Sequence, residues 1–272
     1  MNKILYIFLL LVTLSSCSEY QKALKSEDTA TKFKLGEELY NAGKYDKANK
    51  LFAQIVPSYR GKPQAEKLMY LYSQSFYKMR DYYIAGYQFE RFESTYPKSD
   101  SVEVAAYKSA KSYYELSPSS SLDQKDTEKG LEKLQAFVNK YPNSSYRIEA
   151  NNLVSELREK LEKKDIDTAH QYFSIGEQIG SFKPAIDAYE NFISDHPGSV
   201  FREAAFFGRA SAAYNRAISS VPAVQKERLL VSKDFYAKYL KYYKAGDKKE
   251  DADALIAAID KELEKYQQPT EN

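Results

Sequence analysis

The sequence is poor in residues that crosslink a chain or interrupt regular structure. It has 10 glycines and 9 prolines in 272 residues, no tryptophan, and one cysteine, Cys17. A single thiol excludes a disulfide within the chain and any metal site built from several thiolates. The 40 basic and 38 acidic side chains nearly cancel, so net charge gives no general attraction to nucleic acid or to anionic lipid.

The residues of common catalytic sites are also scarce. There is no G-x-S-x-G, H-E-x-x-H or glycine-rich phosphate loop. The only two histidines are far apart, and we interpret His196 as structural and His170 as a surface residue. Carboxylates such as Glu156 and Glu159 stand beside lysines at spacings typical of solvated helix surfaces. We therefore expect no catalytic, metal or cofactor site, and a protein that is not an enzyme.

The N-terminus has the pattern of a targeting segment. Lys3 precedes an apolar run from Ile4 to Leu14, which as a helix would be about 16 Å long, too short to cross a bilayer. The run ends in Leu-Ser-Ser-Cys, which resembles the lipobox of bacterial lipoproteins. We expect a signal peptide at 1–16, lipidation of Cys17 and a tether over 17–28. The alternative is a secretory peptide with an incidental cysteine. Serine at position 18 favours the outer membrane, with the domain in the periplasm.

Three short segments punctuate the rest of the chain in the same way. They read Tyr-Pro-Lys-Ser at 96–99, Tyr-Pro-Asn-Ser at 141–144 and His-Pro-Gly-Ser at 196–199. We expect each serine hydroxyl to cap the helix that follows. Twelve positions before each proline stands a small residue, which lets two helices approach closely: Ala85, Gly130 and Ala185.

This spacing resembles the tetratricopeptide repeat, a helix–turn–helix unit of 34 residues. We predict an all-α tetratricopeptide-repeat α-solenoid of about five helix pairs plus a C-terminal helix, over 29–267, with a tail at 268–272. A polar loop, 117–126, interrupts the third pair, and a helix of about 30 residues follows Pro142. Past residue 220 the punctuation disappears. The predicted pairs are 29–58, 63–97, 100–142, 145–197 and 200–245, before a last helix near 250–267.

Together these features resemble the BamD (ComL) family of outer-membrane protein assembly factors over about 17–245. The loop inside the third pair and Tyr-Pro-Asn-Ser-Ser-Tyr at 141–146 are closer to this family than to generic repeats. The resemblance implies a lipid-anchored adaptor of the β-barrel assembly machinery. Such an adaptor docks on a BamA-like barrel subunit, works with other assembly lipoproteins, and helps receive and insert unfolded outer-membrane proteins.

The repeat also predicts a peptide groove, because stacked repeats line a concave surface with their first helices. Tyrosine combines apolar contact with a hydroxyl, and lysine can pair with a peptide carboxylate. The alternative is that these tyrosines only pack between helices. The expected groove residues are Phe33, Glu37, Tyr40, Asn41, Tyr70, Gln74, Tyr77, Lys78, Lys108 and Lys111.

A second candidate surface is a stripe of arginines. Arg202, Arg209 and Arg216 recur every seven residues, which places them along one face of a helix. Guanidinium groups suit acidic groups on a partner, so this stripe is a candidate docking site for the barrel subunit. A solvated face is the alternative.

Two other classes of function compete with the assembly adaptor. One is a different periplasmic repeat scaffold lipoprotein, used in the cell wall, in secretion or in glycan capture. The other is an enzyme built on a helical solenoid, which needs a separate catalytic domain, and the repeats leave no stretch free for one.

Overall fold

The structure, a computed structural model, describes residues 19–267, and all regular structure in that range is helical. The helices form antiparallel pairs followed by one C-terminal helix, which confirms the predicted fold class. In chain order they are α1 (19–25), α2 (Thr29–Asn41), α3 (Tyr45–Ile55), α4 (Ala65–Lys78), α5 (Tyr82–Thr95), α6 (Val102–Glu115), α7 (Lys125–Lys140), α8 (Arg147–Ile179), α9 (Lys183–Asp195), α10 (Arg202–Ile218), α11 (Pro222–Tyr242) and α12 (Lys249–Glu264).

The second helix of each pair carries the same buried pattern. A small residue is followed after four and seven positions by large apolar residues, and after eleven by an aromatic ring at or just beyond the end of the helix. In α5 these residues are Ala85, Phe89, Phe92 and Tyr96, and the first three are fully buried. Tyr96 is the C-cap and contacts the Phe92 ring, with centroids 5.3 Å apart. The same positions are occupied in α3 by Ala48, Phe52, Ile55 and Tyr59, in α7 by Gly130, Leu134, Phe137 and Tyr141, and in α9 by Ala185, Tyr189, Phe192 and His196.

The fifth pair follows this pattern too, although its punctuation is missing from the sequence. In α11 the small residue is Ser232, whose buried hydroxyl donates to the Ala210 carbonyl of α10 at 2.9 Å. Tyr239 and Tyr243 occupy the last two positions, and Tyr243 caps the helix. This repeat is difficult to recognise in the sequence, because serine replaces alanine at the small position and no proline follows the helix.

Close approach also depends on two glycines of the first helices. A Cβ added at Gly36 of α2 would lie 2.5 Å from the Phe52 ring. One added at Gly208 of α10 would lie 2.4 Å from the Tyr189 ring. Both rings are buried and have little freedom to move, so a methyl group at Gly36 would force the helices of the first pair apart, and one at Gly208 would separate α10 from α9 of the preceding pair.

The chain divides into two compact units. The first comprises the residues up to Pro118 together with Asp123–Leu157, and the second comprises Ser119–Leu122 together with the residues from Arg158. Helix α8, 33 residues long, confirms the expected long helix and contributes to both cores. Its Leu153 and Leu157 pack in the first unit, and its Ile166 and Ala169 pack in the second.

Two local features differ in detail from the expectations, one in the N-terminal segment and one at the punctuating serines. The segment expected to be a tether, 17–28, forms helix α1 over 19–25, because Tyr20 and Ala23 are buried against the first pair. The punctuating serines do not cap the following helices, which begin three residues later. The Ser144 hydroxyl instead accepts from the Tyr146 amide at 3.0 Å and donates to Glu103 at 2.6 Å, so it closes the turn and joins neighbouring pairs.

Other expectations fall outside the described range. The signal peptide, Cys17 and the tail at 268–272 lie there. Within the described range, no helix has both the length and the apolar character that crossing a bilayer requires.

Alanine in place of Gly36 or Gly208 should destabilise the protein. Overpacking a core costs about 1–3 kcal/mol, and the higher helix propensity of alanine returns up to about 1 kcal/mol of this. We expect lower urea midpoints for both variants. Gly198→Ala is the matched control, because a Cβ there meets nothing within 4 Å. If the three variants unfold at the same midpoint, close approach at these glycines does not limit stability.

Candidate binding surfaces

Tyrosines and lysines gather on the first helices of the first unit. We call this the tyrosine–lysine surface. Its members on α4 are half-buried Tyr70 and Tyr77, buried Gln74 and exposed Lys78, and α6 contributes half-buried Lys108 and Lys111. Lys108 Nζ lies 5.5 Å from the centre of the Tyr77 ring, which joins the two helices across the surface. The predicted groove residues on α4 and α6 therefore lie near one another in the structure.

Lys108 is the most perturbed cation of this surface. Burial lowers its pKa to about 8, with further lowering by the charges of Lys78 and Lys111. Lys111 has a partner, because its Nζ donates to Glu149 Oε1 at 2.7 Å. Among the described residues, Lys108 forms no ion pair with a carboxylate, and its ammonium lies over the face of Tyr77. Its ammonium group therefore suits an anionic ligand, whose charge would offset both burial and repulsion.

The tyrosines pack on one side and leave the other free. Tyr70 contacts the buried rings of Phe89 and Phe92 edge-on, and its hydroxyl accepts from Gln74 Nε2 at 2.8 Å. Gln74 Oε1 is buried and accepts no hydrogen bond within the described range. Burial raises the pKa of Tyr77 to about 12, so its hydroxyl remains a donor at neutral pH.

The first pair contributes less to this surface than the sequence predicts. Phe33 was expected to line the groove, but it is buried in the core and packs against Phe52 and Tyr59. Position alone could not reveal that Tyr59, beyond the end of α3, covers this side of α2. Glu37 pairs with Lys67. Tyr40 is half-buried against Tyr45, and Asn41 is exposed.

Two further tyrosines, Tyr107 and Tyr146, lie beside this surface and were not among the predicted groove residues. Tyr107 of α6 is buried and stacks on Tyr146, with centroids 4.6 Å apart and planes inclined by 9°. Burial, followed by the neighbouring Glu149, raises the pKa of Tyr107. Both residues lie at the boundary between the third and fourth pairs, which the long α8 obscures. The tyrosine repeat at 107 and 146 was a signal that could have found them.

The predicted arginine stripe on α10 is interrupted in the second unit. Arg209 was expected to face a partner, but it is only 3% exposed. Its guanidinium lies between the rings of Phe206 and Phe235, at 5.1 and 4.3 Å, and forms an ion pair with Glu190. Helices α9 and α11 both pack on α10, and they cover this position. Arg209 is therefore a structural residue.

The other two arginines have different surroundings. Arg202 is half-buried and lies over Phe206 and Tyr242, at 4.9 and 5.3 Å. Arg216 lines a cleft of about 370 Å³ between α9, α10 and α11. We call this the Arg216 cleft. Its wall includes apolar Val231 and Phe235 and a second guanidinium, Arg228. Two carboxylates also line it, and both are paired, Asp187 with Lys183 and Glu190 with Arg209.

Neither histidine has surroundings that suggest catalysis. His196 occupies the C-cap position of α9, contacts the Phe192 ring and lies 3.0 Å from Asp165. It replaces the tyrosine of the repeat. His170 is exposed on α8, with its ring edge toward Tyr189.

Antiparallel pairs with a recurring small residue and a buried aromatic series define a protein built from tetratricopeptide-type helical repeats. A family described as "YfiO: Outer membrane lipoprotein" matches residues 25–180, more than half of the chain. The chain therefore belongs to this family of outer membrane lipoproteins, which confirms the resemblance drawn from the sequence.

Relatives of known role are similar over part of their length. Outer membrane protein assembly factor BamD of Caulobacter vibrioides is 25% identical over 173 residues, covering 62% of this chain and 56% of that protein. BamD of Helicobacter pylori is 24% identical over 100 residues, covering 37% and 46%. The chain thus spans about half the length of the curated relatives it matches. Both relatives are named as assembly factors of outer-membrane proteins.

Two solved structures are similar in fold. The TPR2AB-domain:pHSP90 complex of yeast Sti1 has a TM-score of 0.40 at 13% identity, covering 85% of this chain and 98% of that one. A kinesin light chain with tetratricopeptide-like repeats, from Podosopora anserina, has a TM-score of 0.36 at 12% identity, covering 78% and 96%.

Replacing Arg209 should affect stability more than replacing Arg216. Arg209→Ala removes two contacts with aromatic rings and much buried aliphatic surface, so we expect it to lower the free energy of unfolding by about 2 kcal/mol. Arg216→Ala, at a partly exposed position, should change it by less than about 0.5 kcal/mol. Urea unfolding followed by circular dichroism measures both. Equal effects would mean that Arg209 is not a structural residue.

Proposed function

We propose that this protein is a lipid-anchored adaptor of the β-barrel assembly machinery. Cys17 carries the lipid that holds it on the periplasmic side of the outer membrane. The tyrosine–lysine surface of the first unit receives the C-terminal segment of an unfolded outer-membrane protein. The Arg216 cleft of the second unit docks on the BamA-like barrel subunit. Family membership and the two BamD relatives support the assembly role.

The observation that carries the peptide site is the state of Lys108. Its ammonium is half-buried, repelled by Lys78 and Lys111, and has no carboxylate partner within the described range. The terminal carboxylate of a peptide would supply the missing negative charge. A charge-assisted hydrogen bond of this kind contributes about 1.5–3 kcal/mol.

The neighbouring groups suit the rest of an extended peptide. Gln74 Oε1 offers a buried acceptor to a backbone N–H, which an unfolded segment presents at every residue except proline. Tyr70 and Tyr77 offer ring faces and edges to an apolar or aromatic side chain. Because their other sides pack on Phe89, they lose little freedom when a ligand binds.

The Arg216 cleft suits an acidic segment that also carries an apolar side chain. Arg216 and Arg228 present guanidinium groups at its wall, and Val231 and Phe235 supply apolar surface. Exposed Val221 and Leu230 extend apolar surface along the same helix, α11. The periplasmic domains of the barrel subunit are the proposed source of this segment.

Peptide binding should depend on Lys108 and on a free carboxylate. Because the chain has no tryptophan, a peptide ending in tryptophan can be followed selectively by its fluorescence anisotropy. We expect Lys108→Gln to weaken binding about tenfold, which is the loss of one charge-assisted hydrogen bond. Lys50→Gln, at an exposed position of α3, should leave affinity unchanged.

The pH dependence of the same titration provides a second readout. Lys108 is charged below its pKa of about 8 and neutral above it, so wild-type affinity should fall between pH 7 and pH 9. Lys108→Gln should lack this fall, and an amidated peptide should show little of it. If the free and amidated peptides bind wild type equally, the carboxylate site is wrong.

Docking should depend on the Arg216 cleft. From cells producing the full-length chain with a C-terminal tag, we expect a gentle-detergent pull-down to recover a barrel protein with periplasmic domains. Arg216→Glu with Arg228→Glu should reduce recovery at least tenfold by charge repulsion. Lys226→Glu with Lys241→Glu is the matched control, at exposed positions of α11. Recovery of cell-wall or secretion proteins without a barrel protein would instead favour the general periplasmic scaffold.

A further inference from the structure

A second cleft in the first unit is separate from both sites described above. It lies between the end of α3, the start of α4 and α5, and its volume is about 390 Å³. One wall is apolar and consists of Val56, Leu68, Met69 and Tyr96. Two guanidinium groups, of Arg60 and Arg91, also line the cleft, which we call the Arg60–Arg91 cleft. None of these residues belongs to the tyrosine–lysine surface.

The two arginines of this cleft carry positive charge without a matching acid. Within residues 19–267, neither forms an ion pair, and the lining includes no carboxylate. Arg91 makes only a 3.4 Å hydrogen bond to the Gln88 amide and lies over the Tyr87 ring at 5.8 Å. Glu66 lies near Tyr96 but accepts a hydrogen bond from the Ser99 hydroxyl. The cleft therefore keeps two charges available for a ligand.

In the next groove along the first unit, between α5 and α7, the lysines are paired with glutamates. Lys133 pairs with Glu90 at 2.5 Å, and Lys140 pairs with Glu93 at 2.6 Å, so two ion pairs join the second helices. In the repeat pattern, the positions of Glu93 and Lys140 correspond to Val56 and Thr95 in the Arg60–Arg91 cleft. In the Arg60–Arg91 cleft, the two positions that form the Glu93–Lys140 ion pair in the α5–α7 groove are therefore occupied by uncharged residues.

Exposed aromatic side chains lead toward the cleft along α5. Tyr83 and Tyr87 are 73% and 53% exposed. Tyr83 stands eight residues and Tyr87 four residues before Arg91, on the same helix face. Large exposed aromatics beside arginine are typical of the centres of protein–protein contacts.

We propose that the Arg60–Arg91 cleft binds a segment of a partner protein in which acidic residues flank a large apolar side chain. The apolar side chain enters between Val56, Leu68 and Met69, and the carboxylates pair with Arg60 and Arg91. Charge complementarity argues for this occupant, because the cleft offers two positive charges around an apolar wall and no negative charge. This site goes beyond the proposed function and does not depend on it.

The proposal can be tested with defined peptides and the full-length chain in detergent. The probe is a fluorescein-labelled peptide, blocked at both ends, with the core Glu-Leu-Phe-Glu. A second peptide has lysine in place of both glutamates. Anisotropy should show binding of the acidic peptide to wild type, and Arg60→Glu with Arg91→Glu should weaken it at least tenfold. The lysine peptide should bind this double variant better than wild type.

Matched controls separate the cleft from general charge effects. Lys50→Glu with Arg147→Glu makes the same change of charge at exposed positions of the first unit outside the cleft and should leave affinity unchanged. Circular dichroism checks that every variant is folded. The proposal is overturned if wild type binds neither peptide, binds both equally, or if the control pair weakens binding as much. Self-association of wild type that the arginine changes abolish, without peptide binding, would replace it by a contact between two copies.

Discussion

The close contact between the two helices of each pair is the constraint on which the rest of the structure depends. Ala48, Ala85, Gly130, Ala185 and Ser232 are all buried where the partner helix approaches. With a small residue there, the large side chains four and seven positions later fill the space beside the contact. The repeat is therefore a constraint on side-chain volume. A small side chain at the contact between the helices leaves room for large side chains beside it.

This rule also explains where polar groups can stand. Because the second helices supply most of the buried rings, the first helices of the first unit need fewer large apolar residues of their own. Tyr70 and Tyr77 each use one side to pack on a ring from α5, and both remain half-buried. A half-buried lysine on the next first helix, Lys108, then lies over the Tyr77 ring. The tyrosine–lysine surface is therefore a consequence of how the pairs stack.

The helix pairs could be predicted because prolines and small residues mark their ends and contacts directly. The surfaces were harder, since a period of three or four identifies a helix face but not the neighbour that covers it. Phe33 is covered by Tyr59 from beyond α3, and Arg209 is covered by α9 and α11. A seven-residue spacing also drifts by about 20° per step on a straight helix, so Arg202, Arg209 and Arg216 do not share one environment.

Within the described part of the chain, charged side chains between packed helices have partners of opposite charge, whereas the cations central to the proposed ligand sites do not. The groove between α5 and α7 contains two Lys–Glu pairs, and Arg209 has both an acid and two rings. Lys108, Arg60 and Arg91 have no acid within the described range. A half-buried cation without a partner destabilises the free protein, and a bound carboxylate removes that cost. The free energy recovered in this way contributes to the affinity for an acidic ligand, so the same absence of a partner that weakens the fold locally strengthens recognition.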